Sequence, residues 1–341
     1  MFICVKNMKI VVDAMGGDHA PGVVVEGAVD AVEEYNYEII LVGDESKIKS
    51  SLSKSRYFGD KISIVQADEV IEMCESPATS VRRKRGSSIV VGMNLIKDGK
   101  ADAFFSAGNT GAVVCAATLD LRLLPGVERP GIAIVTPTLK GISLIVDVGA
   151  NIDAKPLHLL QYGIMGSAYL ESIFNKPNPV VGLLNVGEEE TKGTDFVKET
   201  YELLSKSRLN FIGNIEGKAL FSGKCDVIIC DGFIGNVALK VTEGTAEAIQ
   251  IFLKRHLLKT GLLGKIGILL LKKTFIKFKK ELDYAEYGGA PLLGVNGVVI
   301  IGHGRSNSRA IKNAIRVAGE EVKNQVNQKI IQALNLSKEP L

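Results

Sequence analysis

Eight short apolar runs, rich in Val and Ile, constrain the fold of this chain more than any other feature. They are KIVVD (9–13), EIILVGD (38–44), ISIVQ (62–66), ADAFFSAG (101–108), ISLIVDVG (142–149), VVGLLNVG (180–187), NFIGN (210–214) and DVIICDG (226–232). None alternates strictly between apolar and polar residues, so each forms a strand that needs cover on both faces. Gly, Asn or Asp loops and helix-patterned stretches stand between them. That order implies an α/β chain with a mostly parallel, helix-covered sheet.

Helix starts support the order. Pro21 precedes GVVVEGAVDAVEEY, Pro156 opens PLHLLQYGIMGSAYLESIF, and a Thr-Asp pair caps the helix in KGTDFVKETYELLSK. The stretch PGIAIVTPTLKGISLIVDVG (130–149) breaks the alternation. It reads as two strands around a Thr-Pro turn, marking either a second lobe or a sheet edge. A chain of 341 residues, 46% hydrophobic, has enough core for one large catalytic domain or two lobes, and no repeat or linker divides residues 1–341. A formal charge of +3 is too small to call for a nucleic-acid partner. No segment reaches the roughly 18 apolar residues that a membrane span needs.

Ligands of parallel sheets gather beyond the carboxyl ends of the strands. The loops DAMGGDH (13–19), SAGNTGA (106–112), DVGANIDAK (147–155), NVGEEETKG (185–193), CDGFIGN (230–236) and HGRSNS (303–308) are therefore expected along one edge. Gly lets backbone approach a ligand closely, helix N–H groups bind anions, and Asn and Thr add neutral donors. Turn chemistry explains any one such loop, but six together describe a site for a phosphate-like anion. His19 and His303 stand in these loops as candidates for direct chemistry, whereas His158 and His256 fall on helical patterns and read as structural or surface groups.

Other chemistries lack their signatures. Five cysteines and four histidines show no metal-ligand spacing. There is no GxSxG elbow, no GxxxxGK[ST] loop, and no GxGxxG after the first strand. An odd cysteine count and the absence of a secretory pattern in MFICVKNMKIVVD suggest a reducing cytoplasm, with Met8 as a candidate native start.

The segments KIVVDAMGGDHAP, SAGNTGA, LIVDVGANIDAKPLHLLQYGIMG, GLLNVGEEETKG, CDGFIGNVALK and YGGAPLLGVNG closely resemble the bacterial phosphate acyltransferase (PlsX) family of phospholipid synthesis, in order from about Met8 to Val326. The resemblance implies the fold shared by phosphotransacetylases and the isocitrate/isopropylmalate dehydrogenases. It also implies transfer of a long acyl group from acyl carrier protein to inorganic phosphate, with no metal or nucleotide cofactor. Phosphate is itself the nucleophile, so positioning and oxyanion stabilisation are what the protein has to supply.

On that basis Asn109, Thr110, Gly111, Asn151, Asn185, Gly187, Gly232 and Asn236, with the backbone at Gly16 and Gly17, are expected to hold phosphate and the thioester carbonyl. Lys192 is expected to supply positive charge, with His19, His303 and Asp231 in the chemistry; Asp13, Asp18, Asp147 and Lys155 are expected to support them. The chain departs from the family at IIGHGRSNS, where members carry Lys before the His-Gly and a small residue after it, and Arg305 stands in for that cation.

Two basic segments gain partners from the resemblance. Arg82, Arg83, Lys84 and Arg85 suit docking of acidic carrier protein, against the plainer reading of a solvated helix face. Residues 248–280 carry nine Lys or Arg and no Asp or Glu. A helical hairpin over 246–284 is expected there, with Lys265, Ile268, Leu269, Lys272, Lys273 and Lys277 touching the inner face of the membrane, or packing a homodimer. A membrane glycerol-3-phosphate acyltransferase would take the product. The rival readings are a dehydrogenase of the related superfamily and a non-enzymatic lipid- or nucleic-acid-binding protein.

Overall fold

The computed structural model describes residues 8–55, 57–259 and 288–337, with residues 261, 267, 269–271, 273 and 274 between the last two stretches. All eight apolar runs form strands. In chain order the strands are β1 (Lys9–Asp13), β2 (Glu38–Gly43), β3 (Ile62–Gln66), β4 (Ala103–Ser106), β5 (Gly131–Thr138), β6 (Gly141–Val146), β7 (Val180–Leu184), β8 (Asn210–Ile215), β9 (Val227–Ile229), β10 (Ala290–Leu293) and β11 (Val298–Ile301). The last two come from a Gly-rich segment whose interrupted apolar pattern hid them. They join the others in one 11-stranded sheet of order β3-β2-β1-β4-β11-β10-β5-β6-β9-β7-β8.

The helices that cover the sheet include α1 (Gly22–Tyr35), α2 (Glu45–Ser55), α3 (Pro77–Arg83), α4 (Ser88–Lys97), α5 (Thr110–Ala116), α6 (Pro156–Phe174), α7 (Asp195–Ser205), α8 (Gly232–Leu258), α9 (Ser308–Lys323) and α10 (Val326–Leu336). Alternate residues of β1 go to opposite faces, as a doubly covered strand requires. Ile10 and Val12 pack with Ala28 of α1 and Ile315 of α9. Val11 faces the other way, in the cluster that holds Val90 and Met93 of α4. In the second half Leu144, Val146 and Ile229 pack with Met165 of α6 and Ile330 of α10.

The strands change direction across the sheet. β1 to β4 and β11 run parallel. β10 is antiparallel to both β11 and β5, and β5 is antiparallel to β6. β6, β9, β7 and β8 are parallel again. Three reversals separate β11 from β6, so the strands of the two halves point in opposite directions, yet Val148 and Gly149 after β6 line the same cleft as Asp18, Thr110 and His303. Apolar runs report burial and carry no record of direction.

The 130–149 hairpin thus sits in the middle of the sheet and joins two lobes. Its turn is Leu139–Lys140 rather than Thr-Pro: Pro137 and Thr138 still pair with Ile142 and Gly141. β10 pairs only with the first residues of β5, so at Pro137 the strand is locally an edge and tolerates a residue without an N–H.

α8 starts at Gly232, so the segment expected as a separate hairpin from residue 246 begins inside a continuous helix. Lys265, Ile268, Lys272 and Lys277 lie outside the described residues. Leu269 and Lys273 are described, and Leu269 is exposed. No helix among the described residues is long and apolar enough to cross a membrane.

Candidate active site

α8 brings the two lobes together. Asp231, at the end of β9, caps the helix: its carboxylate accepts from the N–H groups of Phe233 and Ile234 at 2.9 and 3.0 Å. The first turn packs tightly on the 147–151 loop, where a Cβ on Gly232 would stand 2.6 Å from the Asn151 carbonyl oxygen. From there Asn236, Leu239, Lys240 and Glu243 repeat at helical spacing along one face, and all four line a cleft of about 470 Å³. Eight residues of helix span about 12 Å, enough to carry a second-lobe side chain towards the first lobe's loops.

The opposite wall is built from those loops. Asp18, Thr110, Gly111 and the 302–306 segment line the cleft, and Ile132, Ile134, Val148, Ala290 and Ile301 add an aliphatic surface. The loops brace one another. The Asp18 N–H donates to the Gly304 carbonyl at 2.8 Å, and Gly17, at φ 107°, brings the backbone close to that same carbonyl. Asp13 is buried beneath and accepts from the Ser106 hydroxyl at 2.7 Å and the Met15 N–H at 3.1 Å. Burial raises its carboxyl pKa against the pull of these bonds.

Of the residues expected from sequence, Asp18, Thr110, Gly111, Asn236 and His303 therefore meet in one cleft, and Arg305 joins them. Several others are committed to the protein itself. The Asn109 amide donates to the carbonyls of Glu72, Met73 and Glu75, and its oxygen caps α5. Asn151 donates to Tyr162 at 2.8 Å, and Asn185 closes its loop by donating to the Lys192 carbonyl and accepting from Val186. Asp147, fully buried, accepts from the N–H groups of Ile132, Gly149, Ala150 and Asn151 at 2.7–3.0 Å. Burial raises its pKa, and those four bonds oppose the shift.

Neither Lys192 nor His19 lines the cleft; both are exposed, Lys192 in the 185–193 loop with Gly187 and His19 just before α1. Lys155 is the N-cap residue of α6, and its N–H donates to His158 Nδ1 at 3.0 Å. His158 also contacts Glu128 at 3.2 Å, and burial lowers its pKa, in keeping with the structural reading. Gly16 packs against Gly108 and leaves the cleft surface to Asp18.

The RRKRG cluster divides. Lys84 pairs with Glu75 and donates to the Val70 carbonyl, and Arg85 makes a two-pronged pair with Asp120 at 2.8 and 3.2 Å. Arg82 and Arg83 stay exposed at the end of α3, whose Pro77 abuts Gly111 at the cleft wall.

Comparison with known proteins agrees with this architecture. Residues 8–329 match the family described as "Fatty acid synthesis protein". A phosphate acyltransferase of Thermodesulfovibrio yellowstonii is 50% identical over 332 residues, 97% of this chain and 96% of that protein. One from Dictyoglomus turgidum is 53% identical over 330 residues, 96% and 98% of the two chains. The chain belongs to the phosphate acyltransferase family. As a member it is an acyltransferase. Its fold resembles a phosphotransacetylase from Streptococcus pyogenes with a TM-score of 0.66, covering 94% of this chain and 95% of that one; at 18% identity the likeness carries the fold alone.

Sequence reasoning missed Lys240 and Glu243. Lys240 lies inside the segment CDGFIGNVALK, four residues after Asn236, and that spacing on a helix was the signal that places both on one face. The Lys240 ammonium pairs with Glu243 at 2.8 Å and contacts His303 Nε2 at 3.5 Å.

Proposed function

We propose that this cleft transfers a long acyl group from the thioester of acyl carrier protein to inorganic phosphate, making acyl phosphate for phospholipid synthesis. A phosphate oxygen attacks the carbonyl carbon and a tetrahedral oxyanion forms. The C–S bond then breaks, and the carrier thiolate leaves and takes up the proton that phosphate releases. The observation that carries the reading is one cleft combining polar donors, Thr110, Asn236, Lys240, His303 and Arg305, with the aliphatic Ile132, Ile134, Val148, Leu239 and Ile301. Donors suit phosphate and the oxyanion; the aliphatic surface suits the acyl chain. The decisive test is incubation with acyl carrier protein thioester with and without phosphate, trapping acyl phosphate as its hydroxamate. Product that forms without phosphate, or no product at all, sinks the reading.

Three associations extend the proposal. Arg82 and Arg83, exposed one short helix from the cleft wall, support steering of an acidic carrier protein. Replacing both with Glu should slow carrier-dependent turnover, most at low salt. Phe233, Val237 and Val241, at 59%, 47% and 62% exposure, form an apolar stripe on α8 that supports a homodimer face. Charged residues at Val237 and Val241 should shift sedimentation towards the monomer. Ile249, Phe252 and Leu269 are exposed within the basic 248–280 segment and support peripheral contact with the inner membrane face. Charge reversal at Lys272, Lys273 and Lys277 should then release the protein from anionic vesicles.

A further inference from the structure

The aliphatic wall of the cleft belongs to a row that crosses four strands. Ile301 of β11 pairs with Ala290 of β10, and Ile145 of β6 pairs with Ile134 of β5. β10 meets β5 at Leu292 and Ile132, and that register carried two residues further sets Ile134 beside Ala290. The row therefore reads Ile145, Ile134, Ala290, Ile301, and all four pack in the cluster on one face of the sheet. One short side chain stands among three branched ones.

That short side chain leaves a notch, and the notch is open. Leu239 of α8 packs against the same cluster, yet Leu239, Ala290, Ile134 and Ile301 all line the cleft, so the helix does not fill the space between them. Ala290 stays half-buried beside the buried Ile301. The width suits one hydrocarbon chain. Adjacent strands lie about 4.8 Å apart, which sets Ile134 and Ile301, two strands apart, about 9.6 Å from each other. A methylene chain that touches carbon on both sides at about 4 Å needs about 8 Å.

We infer that the acyl chain leaves the reacting carbonyl through this notch, and that Ala290 is the residue that admits a long chain. This rests on the acyl-to-phosphate reading of the cleft and adds which residue selects among acyl groups. The chain runs from the polar side of the cleft, where Thr110, Asn236 and Lys240 stand, over Ala290 and between its two isoleucine neighbours. Ile132, buried in the next row, limits the depth. Each methylene buried favours binding about fourfold, so a plugged notch penalises a long chain more than a short one.

The test is kcat/KM for butyryl, octanoyl and palmitoyl thioesters of acyl carrier protein at saturating phosphate, for the wild type, Ala290→Val and Ala290→Leu. Both variants put a branched side chain into the notch. The palmitoyl-to-butyryl ratio should fall about tenfold or more in Ala290→Leu and less in Ala290→Val, with octanoyl between the two chain lengths.

Equal losses at every chain length, the mark of a merely structural defect, overturn the inference. So does an unchanged ratio, or a ratio that falls in Ala310→Leu and not in Ala290→Leu, which would route the chain along α9. Should the larger side chains prevent folding, Ala290→Cys decides it with little added bulk. Palmitoyl thioester, without phosphate, should slow maleimide modification at position 290 as read by peptide mass; equal rates with and without it overturn the inference. A wild-type enzyme that makes no acyl phosphate from any of the three thioesters fails the functional reading instead, and is told apart because no variant is needed to see it.

Discussion

The loop after β6 and the loop after β11 are both short, polar and glycine-containing, yet their polar side chains are used differently. In the 147–151 loop the polar atoms turn inward: Asp147 gathers four backbone N–H groups and Asn151 binds Tyr162. In the 302–306 loop His303 Nδ1 accepts from the Arg305 N–H, and Nε2 lies 3.5 Å from Lys240 Nζ at the cleft. The second lobe reaches the cleft through the face of α8, through β5 and through Val148 and Gly149.

The largest effect should come from cutting the inward knot. Asp147→Ala leaves four buried or half-buried N–H groups without their acceptor, at a cost of roughly 3 kcal/mol or more. Asp13→Ala, which loses the Ser106 hydroxyl and the Met15 N–H, should cost about 1–3 kcal/mol. Urea unfolding of both variants measures the difference. Equal losses would mean that the two lobes are braced alike and would erase the contrast.

A second pair of substitutions separates holding from binding. Asn151→Ala should act first on stability, by about 1–2 kcal/mol, because its amide ties the 147–151 loop to α6. Asn236→Ala should leave the unfolding midpoint in place and lower kcat/KM about tenfold, the equivalent of one good hydrogen bond to substrate. Unfolding curves and steady-state rates on the same preparations read both quantities. A stability loss in Asn236→Ala with normal turnover would move that residue to the inward class.

Much of the fold was legible because burial leaves a mark in composition. The runs at 9–13 and 62–66 became strands with those bounds, and Pro21, Pro156 and Thr194 marked real helix starts. β10 and β11 escaped because Gly288, Gly289, Gly294 and Gly297 interrupt their apolar pattern, and those two strands, with β5, decide the direction of half the sheet. The cleft was legible only in part for the same reason. Thr110, Asn236 and His303 could be named from their loops. Lys240 becomes part of the site only once α8 is known to cross between the lobes, and Lys192 leaves it because β7 lies one strand beyond β9, further from the centre of the sheet.

The smallest expected effect is a pH dependence that differs in sign between Glu75 and Asp147. Glu75 stands in the turn that Asn109 holds beside the cleft, and its carboxylate accepts from Lys84, from the Ser80 hydroxyl at 2.6 Å and from the Glu72 N–H at 3.1 Å. These bonds, the Lys84 one foremost, push its pKa down from 4.5 to about 2. A lowered pKa contributes stability above the unfolded value of 4.5, and that contribution is lost as pH falls through about 2. Asp147 has the opposite sign: burial raises its pKa, the folded state keeps the proton longer, and its contribution falls as pH rises above 3.8. Acid should therefore loosen the first-lobe rim before the second-lobe knot. Thermal midpoints of wild type and Glu75→Gln between pH 7 and pH 2 check this. The variant should start slightly lower at pH 7 and lose less on acidification, a modest difference that salt reduces because the pair is largely solvent-screened. Parallel curves would show that Glu75 does not hold the rim.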